Sequence, residues 1–244
     1  MNFDIFKKTT PLINKNLRIY YCKGPVVIFG ILVPMFFFLA FSLGRDMTTV
    51  FFASGIIGMT LWFTATSVSP VITPWETREK TLERLLTMPI TVRSIILADI
   101  ISSSILGILI TGAAIIFIAI FMDIVIYNPI VLFLALIPSA FCYSAIGSLM
   151  SAYPTDKTSD VMMVATLIKF PIIFVSGIFI PIEELPTAGL AIAYLSPLTY
   201  FVETIKNVLT GSSAIPELIL IWILAIIFTI IAIKTHKKTI PKRI

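Results

Sequence analysis

Charged residues are scarce in this chain. Lysine, arginine, aspartate and glutamate make up 13% of its 244 residues, whereas apolar residues make up 58%. A soluble domain carries about 25% charged residues, so this chain has too little polar surface to cover a water-soluble globule. The composition predicts an all-α membrane protein with a single transmembrane domain over residues 1–244 and no separate soluble domain.

Residues that build metal and catalytic sites are also few. His236 is the only histidine and has no second ligand at metal-binding spacing, and Cys22 and Cys142 are not expected to pair. The chain has no G-x-x-x-x-G-K-[ST] phosphate loop. We therefore expect no catalytic residue, no metal and no cofactor in this chain. The net charge of +5 does not indicate nucleic-acid binding, because the basic residues lie at the ends of apolar runs.

Six apolar runs are long enough to cross a bilayer, which takes about 20 helical residues. The first run follows a polar segment and lacks a small-residue cleavage pattern, so we expect it to stay in the protein as a span. Residues 1–24 precede the six-span bundle of residues 25–233, and residues 234–244 form a basic tail. The predicted spans are Pro25–Leu43, Val50–Thr73, Ile95–Met122, Pro129–Met150, Val161–Ile180 and Pro216–Ile233.

The basic residues predict the orientation of these spans. Fifteen of them lie in the termini and in the segments after spans two and four, whereas only Arg45 and Lys206 lie on the other side. Cytoplasmic segments are the ones enriched in lysine and arginine. Both termini are therefore predicted to be cytoplasmic, in the cell (plasma) membrane.

The segment before the first span has a helical pattern. Ile13, Leu17 and Tyr20 recur at helical spacing, with polar residues between them. This pattern is typical of a helix that lies in the membrane interface, and the alternative is a basic flank that only sets the topology.

The segment between spans two and three, PWETREKTLERLLTMP, predicts a short amphipathic helix. Leu82, Leu85 and Leu86 form an apolar stripe, and Glu76 and Lys80 form an i, i+4 pair. Such a helix suits either docking into a partner's groove or lying flat on the lipid, and the pattern alone leaves both open.

The segment between spans five and six is apolar but too short to cross. Residues 187–195 would rise only about 14 Å as a helix, and a second short segment covers residues 197–209. We expect a re-entrant hairpin that packs on protein in the outer leaflet; the alternative is an outer loop with interfacial helices. Glu183 and Glu184 mark its outer rim.

Two charged residues fall inside predicted spans. Lys169 is near the middle of span five, and Asp99 is about one turn into span three. Intramembrane charges are costly and suggest function, so the two could meet or line a pathway. Alternatively, Lys169 reaches toward the interface and Asp99 already lies near it.

Two motifs resemble those of ABC-2-type transporter permeases. ETREKTLERLL is similar to the family's E-R-E-x-G-T-L-E-R-L-L, with Lys80 where a glycine is usual. FVSGIFIPIEELP followed by SPLTY is similar to its F-L-S-G-x-F-x-P-x-x-x-L-P and P-L-T-Y block. The resemblance covers nearly the whole chain and comes nearest to daunorubicin-type multidrug exporters, with lipid and lipid-linked glycan exporters behind them.

The resemblance implies six spans, an interfacial N-terminal helix, a cytoplasmic coupling helix and an outer hairpin. It implies a pathway between two permease copies, as a homodimer or with a related permease, and a separate ATP-binding-cassette subunit that binds ATP and magnesium. The implied ATPase contacts are Glu76, Arg78, Glu79, Leu82, Glu83, Arg84 and Leu85, and the implied outer gate is Phe179, Pro181, Glu183, Glu184, Pro186, Pro197 and Tyr200.

The function predicted from these features is outward transport of a hydrophobic or amphipathic substrate, with membrane lipid around the chain. A secondary transporter and a non-transporting membrane assembly subunit are the alternatives. Secondary transporters usually need buried carboxylates for ion coupling, and Asp99 is the one acidic residue well inside a predicted span.

Overall fold

The computed structural model describes residues 3–43 and 48–243, and every regular element in them is a helix. Arg45 lies outside the described residues. The eleven α-helices of this part of the chain are α1 Phe3–Asn16, α2 Gly24–Ser42, α3 Thr49–Ala65, α4 Ser69–Arg78, α5 Thr81–Thr87, α6 Val92–Phe121, α7 Pro129–Met150, α8 Thr158–Val175, α9 Thr187–Leu195, α10 Pro197–Thr210 and α11 Ile215–Thr239. A π-helical turn, Leu17–Tyr21, continues α1.

Within residues 3–43 and 48–243, five helical segments are long and apolar enough to cross a membrane, namely α3 with α4, α6, α7, α8 and α11. Two bent pairs raise the number to seven if each counts as one span. One pair joins the end of α1 to α2 at 81°, and the other joins α9 to α10 at 86°. The predicted first span coincides with α2, and the fourth has the same bounds as α7. The chain is a helical membrane protein, and the six-span layout stays a prediction.

The second predicted span is not one continuous helix. It breaks between α3 and α4, where Pro70 occupies the first turn of α4. Proline has no amide hydrogen and clashes with the carbonyl four residues earlier, which here is that of Thr66. The break therefore leaves the Thr66 carbonyl without its helical donor.

The core lies where α3, α7 and α10 meet. The Trp62 ring packs edge-on against Tyr143 with centroids 5.0 Å apart, and the Phe201 ring centroid lies 6.2 Å from that of Tyr143. All three side chains are fully buried. This cluster fixes α10, and with it the hairpin, against the long helices.

The last helix continues into the segment predicted as a basic tail. α11 runs to Thr239, six residues beyond the predicted end of its span. The buried His236 ring contacts the Ser148 carbonyl at 2.8 Å through Nε2. Arg243 donates to the carbonyls of Ser151 and Tyr153. The tail thus packs on the turn between α7 and α8 because these carbonyls at the end of α7 need donors.

The helix bundle has two ends. The end that carries α1, α5, the α7–α8 turn and residues 240–243 is called the α5 end. The hairpin end carries α9 and α10.

Candidate functional site

The segment predicted as a single amphipathic helix consists of two helices. α4 ends at Arg78, and α5 begins at Thr81 after a tight turn in which Lys80 has φ of 55°. This left-handed conformation favours glycine, the residue that the resembling motif has at this position. The predicted i, i+4 pair of Glu76 and Lys80 is therefore wrong, since no helical turn joins them.

Glu76 faces the interior of the chain. Its side chain is 2% exposed and forms an ion pair with Lys15 of α1. The Tyr20 hydroxyl donates to the same carboxylate at 3.2 Å. Burial and the nearby carboxylate raise the pKa of Tyr20, so this hydroxyl keeps the proton that it donates. Glu76 links α4 to the N-terminal segment and is not available to a partner.

The apolar stripe of α5 is also covered by the chain itself. Leu82 is 1% exposed and belongs to a buried cluster with Leu12, Ile95 and Ile96. Leu85 packs against the same cluster while staying partly exposed. Leu82 was predicted as a partner contact, and this placement corrects that prediction because its surface is already used. The exposed residues of this predicted contact set are Arg78, Glu79, Glu83 and Arg84.

Asp99 of α6 is buried beside the start of α4. Its carboxylate accepts a hydrogen bond from the Tyr21 hydroxyl at 2.9 Å and one from the Ser69 hydroxyl at 2.8 Å. Ser69 is the first residue of α4. A helix N-terminus carries a partial positive charge that stabilises a nearby anion, which offsets part of the cost of burying the Asp99 carboxylate.

Lys169 of α8 is buried beside the end of α3, on the other side of the same break. Its ammonium donates to the Thr66 carbonyl, the group that Pro70 leaves without a donor. Because Thr66 ends α3, the cation lies at the partially negative end of that helix. Among the described contacts, Asp99 and Lys169 share no partner, but both act on the break between α3 and α4.

Other helices also pack closely against the break. The Ser103 hydroxyl of α6 donates to the Ala65 carbonyl at 2.6 Å. A Cβ on Gly147 of α7 would lie 3.4 Å from the Thr66 backbone and 3.2 Å from the Ser69 side chain. Sequence reasoning missed this arrangement, although Pro70 was a visible signal for it.

The predicted gate residues lie between the end of α8 and the first turn of α10. Gly177 has φ of 73°, and a Cβ there would lie 2.9 Å from the Ile182 side chain, so any other residue would be strained at this turn. The Tyr143 hydroxyl of α7 contacts the Pro197 carbonyl at 3.4 Å, and the Tyr200 hydroxyl donates to the Tyr194 carbonyl at 2.6 Å. Phe179 and Pro197 are buried, Pro181 and Tyr200 are half-buried, and Glu183, Glu184 and Pro186 are exposed.

The comparison with protein families agrees with these features. A family model described as ABC-2 type transporter matches residues 15–210, which is most of the chain. This chain belongs to the ABC-2 type transporter family. A search of curated proteins gave no significant match.

Membership in the ABC-2 type transporter family defines the general role of the chain. It is a multi-pass membrane component of transport, and the family implies a partner with an ATP-binding cassette. The matched range begins at Lys15 and ends with α10. It therefore contains α5, the break between α3 and α4, both buried charges and the hairpin.

Proposed function

We propose that this chain is the permease subunit of an ATP-driven exporter, of the type resembling daunorubicin and multidrug exporters. Two copies, or this chain and a related permease, form a pathway that moves a hydrophobic or amphipathic substrate outward. The observation that supports this best is α5, a charged helix within the matched family range whose apolar side is fixed to the chain and whose polar side is free.

A separate ATPase subunit, which binds ATP and magnesium, would contact the exposed side of α5. That side carries Glu83 and Arg84, with Arg78 and Glu79 at the preceding turn. Charged residues at the edge of an interface set its specificity and register. In this proposal the α5 end and both termini are cytoplasmic, and the membrane is the plasma membrane.

Movement of α5 would reach the membrane interior by two routes. Leu82 packs against the start of α6, so a displaced α5 moves that helix. Glu76 connects α4 to Lys15, so tilting α4 pulls on α1. Both routes lead toward the break, because α6 carries Asp99 and α4 begins at Ser69. The hairpin end, with Phe179, Pro181, Glu183, Glu184, Pro186, Pro197 and Tyr200, is the proposed outer gate.

Charge reversal on α5 tests the proposed ATPase contact. The double variant Glu83→Lys with Arg84→Glu should reduce co-purification of the transporter's ATPase at least about tenfold, because reversed charges at an interface repel their former partners. The matched control is Glu183→Lys with Glu184→Lys, which reverses two exposed charges at the hairpin end.

The control should retain the ATPase, and both variants should reach the membrane in normal amount. Equal ATPase recovery from the α5 variant and from the control would rule out this contact. Transport measured in the same membranes would then show whether α5 matters for the activity in another way.

A further inference from the structure

A long apolar groove lies between α8 and α11. It has a volume of about 570 Å³ and is walled by Val164, Ile168 and Ile172 on one side and by Phe228 on the other. The exposed Leu167 lies on another face of α8 and does not line the groove. The groove is thus a recess between helices, separate from the outer surface of α8.

The two ends of the groove are lined by different elements. Leu195, Ser196 and Pro197, at the 86° bend of the hairpin, line one end, and Tyr153 and Thr235 line the other. The Ser196 hydroxyl is already bonded to the Ser176 hydroxyl at 3.1 Å and to the Leu198 amide at 3.3 Å. The end at the hairpin therefore has its serine satisfied and suits the tip of a hydrocarbon chain.

The length of the groove matches one leaflet. Val164 and Ile172 are separated by eight residues, or about 12 Å of helix, on one wall, and the groove continues beyond Val164 to Tyr153. Half of a hydrocarbon core of about 30 Å is about 15 Å. An acyl chain entering at the α5 end would thus reach the hairpin near the bilayer centre.

The end of the groove at Tyr153 and Thr235 carries an excess of positive charge. Thr235 lines the groove there, and Lys238 follows one helical turn later on the same face, where side chains tilt back toward the preceding turn. Lys234 is adjacent, and both lysines are exposed. The other charged residues near Tyr153 are Lys157 before α8, Arg243 on the α7–α8 turn, Asp156 in that turn, and Asp160, which accepts from Thr155 at 3.3 Å.

We propose that this groove binds one acyl chain of an anionic phospholipid of the cytoplasmic leaflet, with the headgroup phosphate at Lys234 and Lys238. Basic residues beside a groove between membrane helices are the chemistry that recognises anionic headgroups. Four cations against two carboxylates favour a net negative lipid over a zwitterionic one. The proposal rests on the proposed orientation of the permease, and its test requires neither the ATPase nor transport.

Lipid retention by the purified full chain tests the site. Delipidated protein in detergent is mixed with dioleoylphosphatidylglycerol or dioleoylphosphatidylcholine, and bound lipid is counted by native mass spectrometry. We expect preferential retention of phosphatidylglycerol. Each lysine near a headgroup contributes about fivefold in affinity, so Lys234→Gln with Lys238→Gln should weaken retention about 25-fold. Lys8→Gln, which removes an exposed lysine of α1 that does not line the groove, is the control and should change little.

Filling the groove tests the position of the acyl chain. Ile168→Trp should abolish retention of phosphatidylglycerol, whereas Leu167→Trp on the exposed face of the same helix should not. If Ile168→Trp fails to fold, Val164→Phe fills the same groove with a smaller ring. In the wild-type chain, phosphatidylglycerol with a diazirine in its acyl chain should label residues 164–172 of α8 and Phe228.

Three results would overturn the proposal. Equal retention of the two lipids would exclude recognition of an anionic headgroup. Retention by Ile168→Trp equal to that of Leu167→Trp, or labelling confined to the exposed face of α8, would exclude the groove as the binding site. Labelling blocked by a second copy of the chain would show that the groove belongs to a dimer interface. Since no outcome depends on ATPase binding, a negative result leaves the permease proposal intact.

Discussion

The α5 end and the hairpin end of this membrane domain are held by different kinds of contact. At the α5 end, buried ionic and polar groups reach between distant segments, as Glu76 does to Lys15 and Asp99 does to Tyr21. At the hairpin end, α10 is held mainly by buried apolar side chains such as Phe201 and Val202, and its ion pair, Glu203 with Lys206, lies within one helix.

The difference matters for how each end can move. A buried polar group needs a partner in a specific geometry, and an unmade bond costs its full desolvation. Bonds of this kind switch between discrete arrangements. A packed apolar surface instead resists displacement gradually, because each pair of atoms that separates gives up only a small attraction. In the proposed permease, we therefore expect the α5 end to respond as a switch and the hairpin end to follow the helices on which it packs.

The apolar support can be weakened most strongly at Phe201. Phe201→Ala should lower the free energy of unfolding by about 4 kcal/mol, because it leaves a cavity beside Tyr143 that the rigid helices cannot fill. Phe201→Leu keeps most of the volume and should cost about 1 kcal/mol. Unfolding in detergent monitored by circular dichroism measures both. Equal losses for the two variants would mean that volume is not what holds α10.

For the polar contacts, stability should depend on hydrogen bonding and not on volume, and variants of Asp99 test this. Asp99→Ala should lower the free energy of unfolding by about 3 kcal/mol, since it takes the acceptor from the buried Tyr21 hydroxyl and leaves the Ser69 hydroxyl only a longer contact, 3.4 Å, to the Ser144 carbonyl. Asp99→Asn keeps an oxygen acceptor and should recover about two thirds of the loss. The same unfolding measurement applies. If asparagine is as damaging as alanine, hydrogen bonding is not the role of Asp99 in stability.

Lys169 should separate stability from function. Lys169→Met should change the free energy of unfolding by less than about 1 kcal/mol, because removing a buried charge offsets the lost hydrogen bond. Transport should nevertheless fall about tenfold, the equivalent of one charge-assisted hydrogen bond at the Thr66 carbonyl. Uptake into inverted vesicles, normalised to the amount of inserted protein, measures it.

Lys169→Arg, which keeps the charge and the donors, is the control for this variant and should retain most of the transport. Full transport in Lys169→Met would instead show that the charge of Lys169 has no role in transport.

The sequence predicted the long helices well because transfer of apolar residues to lipid depends on local composition. The bounds of α7 were predicted without error, and α9 and α10 were expected as two short segments. Because it depends on local composition alone, hydropathy did not reveal the break between α3 and α4. Hydropathy continues through the Thr66 region, so a continuous span was predicted although Pro70 signalled an interruption.

The partners of the charged residues could not be predicted in this way. Lys15 and Glu76 are 61 residues apart, and Tyr21 and Asp99 are 78 residues apart. Nothing local relates their positions, because the pairing depends on how α1 lies across α4 and α6. The stripe of α5 shows the same limit. Its spacing correctly indicated an apolar face, but only the packing reveals that Leu82 meets the chain's own α6.

The smallest predicted effect concerns the turn that connects α4 to α5. Lys80 has φ of 55°, a conformation that costs a residue with a Cβ about 1 kcal/mol. Lys80→Gly should therefore raise the free energy of unfolding by about 1 kcal/mol, and this gain should appear in thermal unfolding of the purified chain. Lys80→Ala removes the same charge but keeps the Cβ, so it should give no gain.

An equal gain in both variants would assign the effect to the lysine's charge, which lies next to Arg78 and Arg84. A gain in Lys80→Gly alone would show that the turn between α4 and α5 is strained, and that α5 is set at its angle by the contacts of Leu82 and Glu76 on either side of it.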